Sequence, residues 1–114
     1  MYEYGFKTLR VIDGDTIEIQ IDLGCYVAKI EKVRLYGINA PELRSKDPEA
    51  RVQAKAVKNA LIEELEKPGT WIVKTLKDKD DKYGRLLAIL FRDEQNINDF
   101  LLTFPGVKPY FGKG

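Results

Sequence analysis

Three short segments hold the side chains that can do chemistry. The first is Val11-Ile12-Asp13-Gly14-Asp15-Thr16, and the second is Arg34-Leu35-Tyr36-Gly37-Ile38-Asn39-Ala40-Pro41-Glu42. The third is Asp81-Lys82-Tyr83-Gly84-Arg85. Taken singly, each has a bland explanation: Asp-Gly-Asp and Tyr-Gly are common in turns, and an arginine on a strand is usually solvated. Together they form one chemical kit. Asp15 and the side-chain oxygen of Asn39 are hard oxygen donors, suited to calcium or magnesium. Arg34 and Arg85 offer planar forks that grip phosphate oxygens bidentately. Glu42 is a carboxylate able to orient or deprotonate an attacking water. Phosphoryl transfer requires those parts: a cation, a charge clamp and a positioned nucleophile.

The composition excludes most other chemistries. The chain has no histidine, which removes Ser-His-Asp triads and imidazole metal sites. Its one cysteine, Cys25, can form no internal disulfide and no multi-thiolate zinc site. Catalysis must rest on carboxylates, Lys, Arg, Tyr or a metal held by oxygen. With 19 Lys and Arg against 18 Asp and Glu, net charge gives no argument for a polyanionic partner, so local clusters must supply one.

The elements that position these residues follow from periodicity. Ile17, Ile19 and Ile21 alternate with Thr16, Glu18 and Gln20, the mark of a strand with one buried face. With the Asp13-Gly14-Asp15 turn before it, Leu9–Ile12 and Thr16–Ile21 read as a hairpin. A third strand is expected over Val27–Leu35. From Pro48 to Lys67 the period changes: Ala50, Ala54, Val57, Leu61 and Leu65 define an amphipathic helix, with Asp47 as N-cap and Pro68-Gly69 as the stop. Trp71–Leu76 and Leu86–Phe91 read as two more strands, and Asn98–Thr103 as a short second helix. Trp71, Val73 and Thr75 share a face, so Trp71 is expected in the core.

At 114 residues one domain, spanning 1–114, is expected. The fold class is α+β and mainly β: a five-stranded Greek-key barrel of the OB type, with a long helix between strands three and four and a short C-terminal helix. The N-terminus shows no signal-peptide pattern and no apolar run is long enough to span a bilayer, so a cytoplasmic, membrane-free protein is expected.

The strings Val-Ile-Asp-Gly-Asp-Thr, Arg-Leu-Tyr-Gly-Ile-Asn-Ala-Pro-Glu and Asp-Lys-Tyr-Gly-Arg-Leu-Leu-Ala resemble, in order and spacing, the three signature blocks of the staphylococcal nuclease (thermonuclease) family. The resemblance runs from about residue 6 to residue 104. It implies a calcium-dependent endonuclease or phosphodiesterase that cuts DNA or RNA with little sequence preference and leaves a phosphate on the 3′ side. It implies one calcium ion, with Asp15 as direct ligand, Asn39 as second side-chain ligand, the Ala40 carbonyl as third, and Asp13 reached through water. It implies that Arg34 and Arg85 clamp the scissile phosphate and that Glu42 acts on the water. Lys82 and Tyr83 then touch a flanking phosphate or sugar.

Two departures stand out. The family most often has aspartate where this chain has Asn39, so the cage carries one negative charge fewer. The family's best-known member also continues into a third helix beyond the point matching Gly114. Tyr110-Phe111 is a candidate surface for stacking a base. Arg44, Lys46 and Arg51 suggest a basic rim or simply a solvated loop. The expected partner is nucleic acid, with no protein partner and a monomeric state; a phage or mobile-element origin suits so compact a member. The alternative reading is an OB-fold module that binds nucleic acid with weak or no catalysis, which Asn39 favours. Both arginines and Glu42 favour the enzyme.

Overall fold

The computed structural model describes residues 2–77, the last as backbone alone, and residues 86–110. The chain begins with β1 (Tyr2–Asp13), β2 (Thr16–Gly24), β3 (Val27–Leu35) and the short β4 (Gly37–Asn39). Helix α1 (Pro48–Leu65) follows, then β5 (Trp71–Lys77), β6 (Leu86–Arg92) and the two-residue β7 (Gln95–Asn96). Helix α2 (Ile97–Leu101) and β8 (Lys108–Tyr110) complete the described part.

Strands β3, β2, β1, β5 and β6 lie side by side in that order, and a parallel pairing of β3 with β6, from Val33↔Leu86 to Leu35↔Ala88, closes them into a barrel. The expected five-stranded OB-type barrel with one long and one short helix is what the chain forms. Closure needs β1 to serve two neighbours. Its first residues pair with β5, from Tyr2↔Thr75 to Gly5↔Ile72, and the remainder with β2. Register shifts after Thr8 and after Val11 coil the strand between those partners, as bulges do at barrel corners. Beside the barrel, β4 pairs antiparallel with β8 in a separate two-stranded sheet.

The inward face is aliphatic. Ile17, Ile19, Val33, Leu35, Val73 and Leu90 have no exposed surface, and Ile21 is 3% exposed. Helix α1 closes the barrel with Ala54, Val57 and Leu61, all buried. The Asp47 carboxylate accepts the Glu49 N–H at 3.0 Å, which caps the helix as its sequence suggests. Trp71 packs against this core, edge-on to Phe6 with ring centroids 5.8 Å apart. No described helix is long and apolar enough to cross a membrane.

Several elements differ from the expectation. β1 starts at Tyr2 rather than Leu9, because its early residues find their partner in β5, which no local pattern encodes. α2 runs from Ile97 to Leu101, its cap being Asn96, whose side chain accepts the Asp99 N–H at 3.1 Å. β4 and β8 are strands to which the sequence reading assigned no element; Pro109 is tolerated because β8 lies at a sheet edge.

A buried ion pair ties α1 to the barrel. The Glu64 carboxylate, 8% exposed, accepts from Lys67 Nζ at 2.6 Å and from Arg92 Nη1 at 2.7 Å. The Lys67 hydrogen bond, with help from Arg92, holds the Glu64 carboxyl below its ordinary value of 4.5 although burial opposes it. A carboxyl depressed in the folded state stabilises the fold above its unfolded value and loses that contribution as pH falls through its folded value. Glu64→Gln is therefore expected to cost about 1–3 kcal/mol at pH 7. Urea melts should show the gap between the two proteins closing in acid, well below pH 4.5. A gap that persists unchanged there would contradict this account.

Candidate active site

The site begins at the turn between β1 and β2. Gly14 sits under helix α1, and a Cβ there would fall 2.6 Å from Val57 Cγ1, so only glycine lets the helix lie so close. That turn aims Asp15 away from the core. Its main-chain carbonyl accepts the Leu35 N–H at 2.7 Å, which ties it to the end of β3. Thr16 lies opposite Arg34 in the β2–β3 ladder, so the arginine stands beside Asp15. Arg34 Nη2 is 3.9 Å from Asp15 Oδ2, and both side chains are 15% exposed.

Gly37 then reverses the chain. Its φ of 83° is the left-handed conformation that glycine adopts without strain, and it turns the end of β3 into β4. β4 carries Asn39 and Ala40 back across the β1–β2 turn. The Ala40 N–H donates to Asp15 Oδ2 at 3.1 Å, while the Thr16 hydroxyl donates to Asp15 Oδ1 at 3.2 Å. Register pairs Asn39 with Lys108 and Gly37 with Tyr110, so β8 braces this return.

The outcome is an open cleft of about 720 Å³ whose lining includes Asp13, Asp15, Arg34, Asn39, Ala40 and Glu42. These six expected site residues are thus brought together. Tyr110 lies against Arg34, its ring centroid 4.7 Å from the guanidinium carbon. Lys82, Tyr83, Arg85 and Phe111, also expected at the site, lie outside the described residues.

The electrostatics of the cleft are those of crowded carboxylates. Burial first, then the charges of Asp15 and Glu42, pushes the Asp13 carboxyl above its ordinary value, while Lys58 and Arg44 pull it back. A group disfavoured by like charges is relieved by a nearby cation. The donors are all oxygens, and the mixture of carboxylate, amide and backbone carbonyl suits a hard divalent ion such as calcium. No group of three or more acidic, His or Cys side chains in metal-binding arrangement occurs among the described residues, so amide and main-chain oxygens must complete any such site.

Sequence reasoning missed Lys58. Helical periodicity places it next to the buried Val57, and nothing local reveals that this turn of α1 packs on the Asp13-Gly14-Asp15 loop. Thr16, which ends the acidic block and begins β2, has a part the sequence does not spell out: its hydroxyl donates to Asp15.

Residues 32–104 match the family described as staphylococcal nuclease homologue. The chain belongs to that family. The matched stretch contains Arg34, Asn39, Ala40 and Glu42, whereas Asp13 and Asp15 precede it and join the site through the β1–β2 turn. The chain is similar to a thermonuclease of Staphylococcus intermedius, 34% identical over 78% of this chain and 49% of that protein. It is similar to the SPbeta prophage-derived endonuclease YokF of Bacillus subtilis (strain 168), 32% identical over 82% of this chain and 30% of that protein. A thermonuclease of Staphylococcus hyicus is 27% identical over 87% of this chain and 55% of its own length. The chain thus spans between 30% and 55% of the length of these relatives.

Proposed function

We propose that this protein is a calcium-dependent nuclease that hydrolyses phosphodiester bonds in DNA or RNA with little sequence preference. One observation carries the reading: Arg34 and the oxygen donors Asp15, Asn39 and Ala40 face one cleft, in a family whose named relatives are nucleases. Asp15, the Asn39 side-chain oxygen and the Ala40 carbonyl would hold the cation, with Asp13 acting through water. When bound, the ion supplies positive charge to the phosphate. Arg34 grips the non-bridging oxygens and stabilises the charge that builds as the phosphorus adds its fifth oxygen. Glu42 orients the attacking water and accepts its proton, while the bond from phosphorus to the 5′ oxygen breaks and that oxygen leaves as a hydroxyl, taking a proton from water. Arg85 is the natural second clamp, with Lys82 and Tyr83 on a flanking phosphate or sugar. The prophage origin of one relative supports a mobile-element source.

The test is incubation with denatured DNA in calcium, in magnesium and in excess chelator. Cleavage is expected in calcium, weaker cleavage in magnesium, and none in chelator, since calcium accepts an irregular, partly hydrated cage more readily. Full activity in chelator would refute the reading.

A second reading, a nucleic-acid-binding module with weak catalysis, is favoured by Asn39, which removes one charge from the cage. Binding without cleavage at saturating calcium would establish it. Asn39→Asp restores the charge at nearly constant volume. Calcium affinity is then expected to tighten by ~1–2 kcal/mol, with the gain in rate confined to low calcium. Calorimetric titration of both proteins measures this, and equal affinities would place residue 39 away from the ion.

A further inference from the structure

The residue that holds Arg34 in place comes from the far end of the chain. Arg34 is enclosed from two sides. The Asp15 carboxylate lies 3.9 Å from Nη2, and the Tyr110 ring lies 4.7 Å from Cζ. Tyr110 reaches this point only because β8 pairs with β4, placing it opposite Gly37, just past the end of β3. A positive guanidinium over an aromatic face is held by the ring's negative quadrupole, more strongly where water is kept away. Asp15 alone would draw the guanidinium onto the carboxylate that is meant to hold the cation. The ring offers the guanidinium a second seat.

From this geometry we infer that Tyr110 is a positioning residue, which keeps the Arg34 guanidinium aimed at the phosphate subsite instead of collapsed onto Asp15. One face of its ring is taken by the arginine, and it is this contact that the inference concerns. The inference rests on the nuclease reading above. It assigns the aromatic ring, not the hydroxyl, as the working part.

Tyr110→Val keeps a β-branched residue in the edge strand and removes the ring, whereas Tyr110→Phe keeps the ring. At saturating calcium and denatured DNA, Tyr110→Val is expected to lower kcat about 10-fold with little change in KM, the scale of a lost cation–π contact. Tyr110→Phe should retain the activity of the unaltered protein. A readout independent of turnover is the Arg34 Nε–H resonance, displaced by the ring current in the unaltered protein and in Tyr110→Phe, and released in Tyr110→Val. Thermal melts of all three report whether the fold is intact; if Tyr110→Val melts early, Tyr110→Thr replaces it in the same measurements. A rise in KM at unchanged kcat would show a base-stacking role and overturn the inference. So would an Arg34 resonance that does not move when the ring is removed. If the unaltered protein hydrolyses nucleic acid and Tyr110→Val does so equally well, the inference alone falls. If the unaltered protein cleaves nothing with any cation, the nuclease reading falls and takes this inference with it.

Discussion

Arg34→Ala is expected to lower turnover on denatured DNA by on the order of 10²-fold or more, with a much smaller change in KM. The arginine is poorly exposed, at 15%, and stands in the cleft beside Asp15. Its hydrogen bonds to phosphate strengthen as negative charge accumulates on the non-bridging oxygens, and interactions that grow toward the transition state appear in kcat. Loss of metal cannot mimic this result. Arg34 carries positive charge close to Asp15, so removing it makes the oxygen cluster more attractive to a cation, and calcium affinity should rise slightly. Arg34→Lys keeps a charge but loses the bidentate fork, so it should recover only part of the rate. Steady-state kinetics at saturating calcium, with calorimetry for the ion, separate these effects. A variant that turns over normally, or that differs only in KM, would remove Arg34 from the chemistry.

The largest effect on stability is expected from Asn98→Ala. Asn98 is 3% exposed and joins three parts of the fold. Its Nδ2 donates to the Tyr36 carbonyl at 2.8 Å and to the Ala88 carbonyl at 2.9 Å. Its Oδ1 accepts the Leu90 N–H at 3.1 Å. One side chain therefore pins α2 to β6 and to the junction between β3 and β4, where Gly37 turns toward the site. Alanine removes all three bonds and leaves the Leu90 N–H without this acceptor in a dry environment. A loss of about 2–4 kcal/mol is expected, because buried polar groups that lose partners carry their full desolvation cost. Asn98→Asp keeps the acceptor but sets a carboxylate against two carbonyls. It should be as damaging at neutral pH and partly relieved in acid, where the protonated form regains a donor. Chemical denaturation at pH 7 and pH 4 reads both effects. A shift below about 0.5 kcal/mol for Asn98→Ala would mean that the network contributes nothing net.

Much was legible in the chain itself. The alternation of Ile17, Ile19 and Ile21 and the helical spacing of Ala54, Val57 and Leu61 report which faces are buried, and all six are. Asp47 caps its helix through a local bond, as its place before Pro48 suggests. The first two charged blocks name six residues that line one cleft, since the available chemistry depends on side-chain type whatever the fold. What periodicity cannot carry is the partner of a strand. Nothing near Tyr2–Gly5 points to Ile72–Thr75, and nothing near Gly37–Asn39 points to Lys108–Tyr110, yet those pairings close the barrel and brace the site. The same holds for the contacts that set the electrostatics. The charge of Lys58 acts on the Asp13 carboxyl, Tyr110 lies on Arg34, and the Ala40 N–H holds Asp15 only because distant elements pack together. Residue types state what chemistry is available, because that depends on functional groups alone. Which group faces which, and with what charge beside it, depends on long-range packing, and only the folded barrel decides it.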